Sequence, residues 1–174
     1  MSLSGVTRRT RALRGSIRSA ADAWLALRMV AWRLAVPLLK RLLPLPRLAR
    51  LLWTPPRRTE RDQAREERVM ALADALSGPR GSRRFDNCLD RSLIGYRFLS
   101  QAGADPELVI GVARPGEVRG HVWLRLDGVP LRETDDSLEG FEEVAAFGPA
   151  GALSAHGEHD DALATIPSQP DLWR

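Results

Sequence analysis

The chain holds one cysteine, Cys88, and it opens a helical pattern, Asp86-Asn87-Cys88-Leu89-Asp90-Arg91-Ser92-Leu93. Further along, a short strand pattern carries a histidine, Gly120-His121-Val122-Trp123-Leu124. A thiol at a helix N-terminus meets the positive end of the helix dipole and unpaired backbone N–H groups. These favour the thiolate and offer donors to an oxyanion. The Cys88 N–H is one such donor, and the Asn87 side chain is a second candidate. An imidazole paired with the thiol can activate it and later protonate a leaving amine. The chemistry this pair could do is acyl transfer through a thioester. The plain alternative is a small buried cysteine and an unrelated histidine.

The imidazole needs an acceptor on its other nitrogen, and hairpin geometry limits the choice. Asp127-Gly128 is a turn signal between strand patterns at 121–126 and 129–133. With a two-residue turn, Leu126 faces Val129 and Val122 faces Glu133, which aims Glu133 away from His121. A loop of three or five residues puts Glu133 on the same face as His121 and Trp123. Asp135 shares that parity and is the reserve candidate. Asp127 has the right parity along its own strand but lies roughly 20 Å from His121, too far to help. An exposed carboxylate at a strand end is the competing reading for Glu133.

The elements that must position these groups can be read in order. Apolar residues at spacings of three and four (Trp24, Leu27, Val30 or Ala31, Leu34, Leu38) predict a helix over 16–43, with Pro37 kinking or splitting it. Pro44 and Pro46 stop it, and a short helical turn carries Leu48, Leu51 and Leu52. A Pro-Pro linker at 54–58 leads to a helix over 60–76, closed by the Gly/Pro/Ser run at 77–82. The cysteine helix, 88–102, is capped by Asn87 and stopped by Gly103. Its apolar residues cover most of its surface, which predicts burial on more than one side. Strand patterns follow at 107–113, 121–126, 129–133 and 141–147. Helices followed by consecutive short strands predict an α+β domain, with the cysteine helix packed on a small antiparallel sheet.

Composition narrows the function classes. Of the 174 residues, 1–58 hold 13 Arg or Lys against one acid, Asp22, a charge of +12, and the remainder carries −8. A basic helical arm (1–58), a catalytic domain (59–148) and a turn-rich tail (149–174) are the expected units. The arm predicts an anionic partner or surface. Its arginines, interleaved with Leu, Ala and Trp, suit a membrane surface or a docking helix, and no nucleic-acid-binding motif is present. The other possibility is that its apolar stripe packs on the domain while the arginines stay solvated. One cysteine rules out an internal disulfide framework, and the only His/Cys pair at ligand spacing is His156-x-x-His159, so no metal and no cofactor is expected. No uninterrupted apolar run of about 20 residues exists to span a membrane, and no clean signal-peptide core follows the early arginines. These readings predict a cytoplasmic protein, peripheral at the inner membrane face if the arm binds lipid.

The blocks Asn87-Cys88-Leu89-Asp90-Arg91-Ser92-Leu93, Ala102-Gly103-Ala104-Asp105-Pro106-Glu107-Leu108-Val109-Ile110-Gly111-Val112, Gly120-His121-Val122-Trp123-Leu124, Asp127-Gly128 and Phe141-Glu142-Glu143-Val144-Ala145-Ala146-Phe147 occur in a telling order. Over 85–148 this order resembles the lasso peptide B2 proteins, transglutaminase-like (papain-like) cysteine peptidases. The resemblance implies removal of the leader from a ribosomally made precursor peptide, with a separate lasso cyclase closing the macrolactam afterwards. It implies Cys88 as nucleophile, His121 as general base and, twelve positions after the histidine, Glu133 where the family usually has Asp. Some relatives carry a fused leader-recognition domain with a three-stranded sheet. Residues 1–80 show no strand triplet, so that domain is expected as a separate protein. Transamidation by the same three residues is the enzymatic alternative, and a non-catalytic transglutaminase-like adaptor is the other.

Overall fold

The computed structural model describes residues 19–55, 60–77, 88–113, 119–133 and 135–154. Helix α1 (Ala20–Leu42) begins where the Ser19 hydroxyl accepts the Asp22 N–H at 3.1 Å, and it runs through Pro37 without dividing. Val36, fully buried just before the proline, and Lys40, ion-paired just after it, hold both sides of the expected break in place. Helix α2 (Leu45–Leu52) follows after Pro44, with Pro46 in its first turn, where a missing N–H costs nothing. Helices α3 (Gln63–Ser77) and α4 (Cys88–Gln101) complete the helical layer.

The sheet is antiparallel, with strands in the spatial order Val129–Pro130 (β3), Arg119–Leu126 (β2), Glu107–Ala113 (β1), Phe141–Phe147 (β4) and Leu153–Ser154 (β5). Strands β1 (Glu107–Ala113) and β4 (Phe141–Phe147) occupy the spans predicted for them, and β2 (Arg119–Leu126) begins two residues early. The domain is α+β, as helices followed by strands required. One core joins Met29 and Val36 of α1, Leu48 and Leu52 of α2, Val69 and Leu72 of α3, Leu93 and Leu99 of α4, and the α4-facing side of the sheet, Ile110, Val122 and Leu124. The helices of the basic arm are therefore part of the same folded unit as the cysteine helix, because burying their apolar faces completes its core. On the other face of the sheet, Val109, Trp123 and Ala146 form a smaller cluster with Leu138 of the short helix α5 (Asp135–Leu138).

Two expectations are corrected at the ends of the sheet. Residues 149–154, placed in the tail by their composition, form a turn (Pro149–Gly151) and a strand, β5 (Leu153–Ser154), that pairs with β4. They are held from below by Tyr96, whose buried hydroxyl donates to the Gly148 carbonyl at 2.5 Å and accepts the Gly151 N–H at 3.2 Å. Burial pushes that phenol up to about 12, although the Gly151 N–H favours its ionised form. Strand β3 (Val129–Pro130) is shorter than predicted, and the hairpin before it is a two-residue turn with Leu126 opposite Val129. Asp127 (φ 52) and Gly128 (φ 80) both take the left-handed conformation that such a turn needs. The odd-length loop expected from the position of Glu133 is not there. His156, His159 and Asn87 lie outside the described residues.

Candidate active site

Alternation along β2 sets Val122 and Leu124 against α4 and puts His121, Trp123 and Arg125 on the opposite face. The cysteine still meets the histidine, because α4 also bonds to the backbone of β2. The Ser92 hydroxyl donates to the Val122 carbonyl at 3.0 Å, beyond the point where β3 stops covering that strand. A Cβ on Gly95 would fall 2.5 Å from the Leu124 side chain, so the helix lies close against the strand. Cys88, at the first turn of α4, packs partly buried beside the core, and His121 is hydrogen-bonded to it.

Glu133 reaches His121 by an unexpected route. A two-residue turn does aim the following strand the wrong way, as the parity argument holds. However, pairing ends with the Leu131 N–H to the Leu124 carbonyl (2.7 Å), and Arg132 then adopts a left-handed backbone (φ 59). That single residue reverses the parity and returns Glu133 toward the imidazole. Glu133 Oε2 lies 3.6 Å from His121 Nε2, an ion-pair contact longer than a normal hydrogen bond. Nε2 is buried without a hydrogen-bond partner of normal geometry, and a side-chain hydrogen bond links the ring to Cys88. The ring thus has both Cys88 and the Glu133 carboxylate as partners. Asp135, the reserve candidate, sits at the start of α5, where strand parity no longer applies.

Four further side chains complete the surroundings, and of these only Trp123 was placed beside His121 by the sequence. The Arg91 guanidinium donates to Glu133 Oε1 at 2.7 Å, and the Ser137 hydroxyl donates to Oε2 at 3.0 Å. Arg91 is one helical turn from Cys88, and that spacing was the available signal. The Phe141 ring tilts against His121 with centroids 5.4 Å apart. Trp123 stacks on the imidazole at 5.9 Å and 20°. Space for its indole comes from Gly111, which faces His121 across the β1–β2 pair. A Cβ there would lie 2.7 Å from the ring.

The electrostatics follow from these contacts. Burial works against a charged imidazole, but hydrogen bonds to Cys88 and Glu133, and attraction to their negative charge, outweigh it. The His121 pKa is raised to about 9. Burial likewise pushes the Glu133 carboxyl up, yet His121, Ser137 and the Arg91 charge prevail and its pKa is lowered. An imidazole held beside the cysteine and the carboxylate can, when protonated, give a proton to a leaving amine and, once neutral, take one from an attacking water. Among the described residues no group of His, Cys, Asp and Glu could hold a metal ion. A cavity of about 250 Å³ lies at the opposite end of α4, between α1 and α3, lined by Trp24, Arg28 and Arg68. No residue of the cysteine–histidine–carboxylate cluster lines it.

A family described as the transglutaminase-like superfamily matches residues 26–146, well over half of the chain. The matched span starts inside α1, in keeping with a core that includes the basic helices. No curated protein and no solved structure matches.

Proposed function

Because the chain belongs to the transglutaminase-like superfamily, whose members are generally cysteine-based enzymes, we propose that it is a cysteine peptidase that cuts the leader from a lasso-type precursor peptide. The observation that carries this reading is the convergence of Cys88, His121 and Glu133 on one imidazole. The lasso assignment rests on the order of motifs over 85–148, which the superfamily match leaves unspecified.

The Cys88 sulfur attacks the carbonyl carbon of the scissile amide, and the Cys88 N–H faces the oxygen that becomes negative. His121 gives its proton to the departing nitrogen as the C–N bond breaks. The core peptide leaves with a free α-amine and the leader remains as a thioester. His121, now neutral, takes a proton from water as the water attacks that carbonyl, and the leader leaves with a free carboxylate. Glu133 keeps the ring oriented and stabilises its charged form, and Arg91 is a positioning residue for Glu133. The freed α-amine is the nucleophile that a separate cyclase needs for macrolactam closure.

The test is mass spectrometry of precursor incubated with this protein and the separate leader-recognition protein, wild type beside Cys88→Ala. Release of leader and core by the wild type alone, with loss of at least about a thousand-fold in the variant, is the expected result. Intact precursor in both tubes, with the leader bound, overturns the peptidase reading and favours the adaptor. An amide in place of a carboxylate at the leader's new end assigns transamidation.

A further inference from the structure

Helix α1 is apolar on two sides, and the domain covers only one. Leu25, Ala26, Met29 and Val36 are buried inward. Outward lie Trp24 (63 % exposed), Leu27 (58 %), Leu34 (75 %), Leu38 (57 %) and Leu42 (67 %). These five follow the helical repeat over about 27 Å at 1.5 Å per residue. Val30, Ala31 and Pro37 fill the spaces between them, and Arg41 is the only exposed ionisable side chain on the helix. A continuous apolar face of that length marks an interaction surface.

We propose that the outer face of α1 seats this protein on an anionic lipid surface, with the helix lying in the plane of the interface. Charge complementarity selects this occupant. Arg41, Arg47 and Arg50 are exposed along and just after the stripe. The 18 residues before the Ser19 cap add five arginines and no acid, whereas the chain beyond residue 58 carries −8 and is repelled by the same surface. Attraction and repulsion together orient the molecule with α1 toward the lipid. A second copy on this face would bring two +12 segments together. A partner protein would find almost no hydrogen-bonding side chain on the stripe to fix its register, and lipid needs none. No helix among the described residues is long and apolar enough to cross a membrane, so α1 lies on the bilayer.

The experiment is flotation of the full chain with vesicles of phosphatidylcholine alone and of phosphatidylcholine mixed with phosphatidylglycerol. Binding to the mixed vesicles at least about ten-fold above the neutral ones, weakening as salt is raised, is expected. The Leu34→Glu/Leu38→Glu variant, altered only where the helix is exposed, keeps its circular dichroism, its melting temperature and its activity without vesicles, and loses about ten-fold in binding. Absence of flotation with anionic vesicles overturns the proposal, as does flotation that the variant leaves unchanged. A dimer that the variant dissolves also overturns it and assigns the stripe to a second copy. The flotation and dimer outcomes do not depend on the peptidase reading.

Discussion

Asp90 and Glu133 are both buried carboxylates held by cations, and they differ in what the second partner is. Asp90 is gripped by Arg33 and Lys40, both from α1, and its side chain is 5 % exposed. Glu133, 6 % exposed, has Arg91 on one oxygen and Ser137 and His121 on the other. Asp90 and Arg91 are neighbours on α4, so a single step along the helix separates the group that ties down α1 from the group that serves the site. A carboxylate between two permanent cations has nothing left to respond to. One shared between a permanent cation and an imidazole can follow that ring as it gains and loses a proton. The first arrangement joins elements, and the second can take part in chemistry.

Substitution at each carboxylate separates the two roles. Glu133→Gln is expected to lower kcat/KM by about a hundred-fold while leaving the melting temperature nearly unchanged. The pH profile should show why. His121 is raised from 6.5 to about 9, so its pairing stabilises the folded state fully below 6.5 and that stabilisation is lost as pH rises through about 9. Wild-type activity should therefore fall above about pH 9, and Glu133→Gln should move that fall to lower pH. Asp90→Asn is expected to do the reverse, costing about 2 kcal/mol in denaturant unfolding with kcat unchanged. The figure is below that for a fully buried pair because Arg33 and Lys40 are partly exposed and can turn to water. Arg91→Gln probes the partner behind the responsive carboxylate. It should lower kcat about ten-fold, with the same downward shift of the alkaline fall, since Glu133 would be less firmly placed.

Much of the architecture was legible because it is set locally. The cysteine helix, the strands at 107–113 and 141–147 and the Asp127-Gly128 turn follow from periodicity and turn chemistry within a few residues. The position of Glu133 was legible only through the spacing of a family motif. Its physical route depends on Arg132, a residue type with no local preference for the left-handed conformation that reverses the strand. The partners of the basic helices were also hidden, because Arg33 meets Asp90, and Arg28 meets Gln101, only once α1 is laid against α4. Arg97 stacks on Trp32 at 3.8 Å for the same reason. Several charges that read as a solvated arm are thus internal fasteners. The boundary at 148 failed because β5 is two residues of backbone pairing, with no apolar pattern to announce it.

If Cys88 carries the acyl group, acid-quenched intact-mass analysis of the enzyme with its precursor will trap it. The expected spectrum shows a transient species heavier by the mass of the released leader less one water, mapped to Cys88 and absent from Cys88→Ala. Leader release at the wild-type rate by Cys88→Ala, with no adduct on either protein, would contradict it.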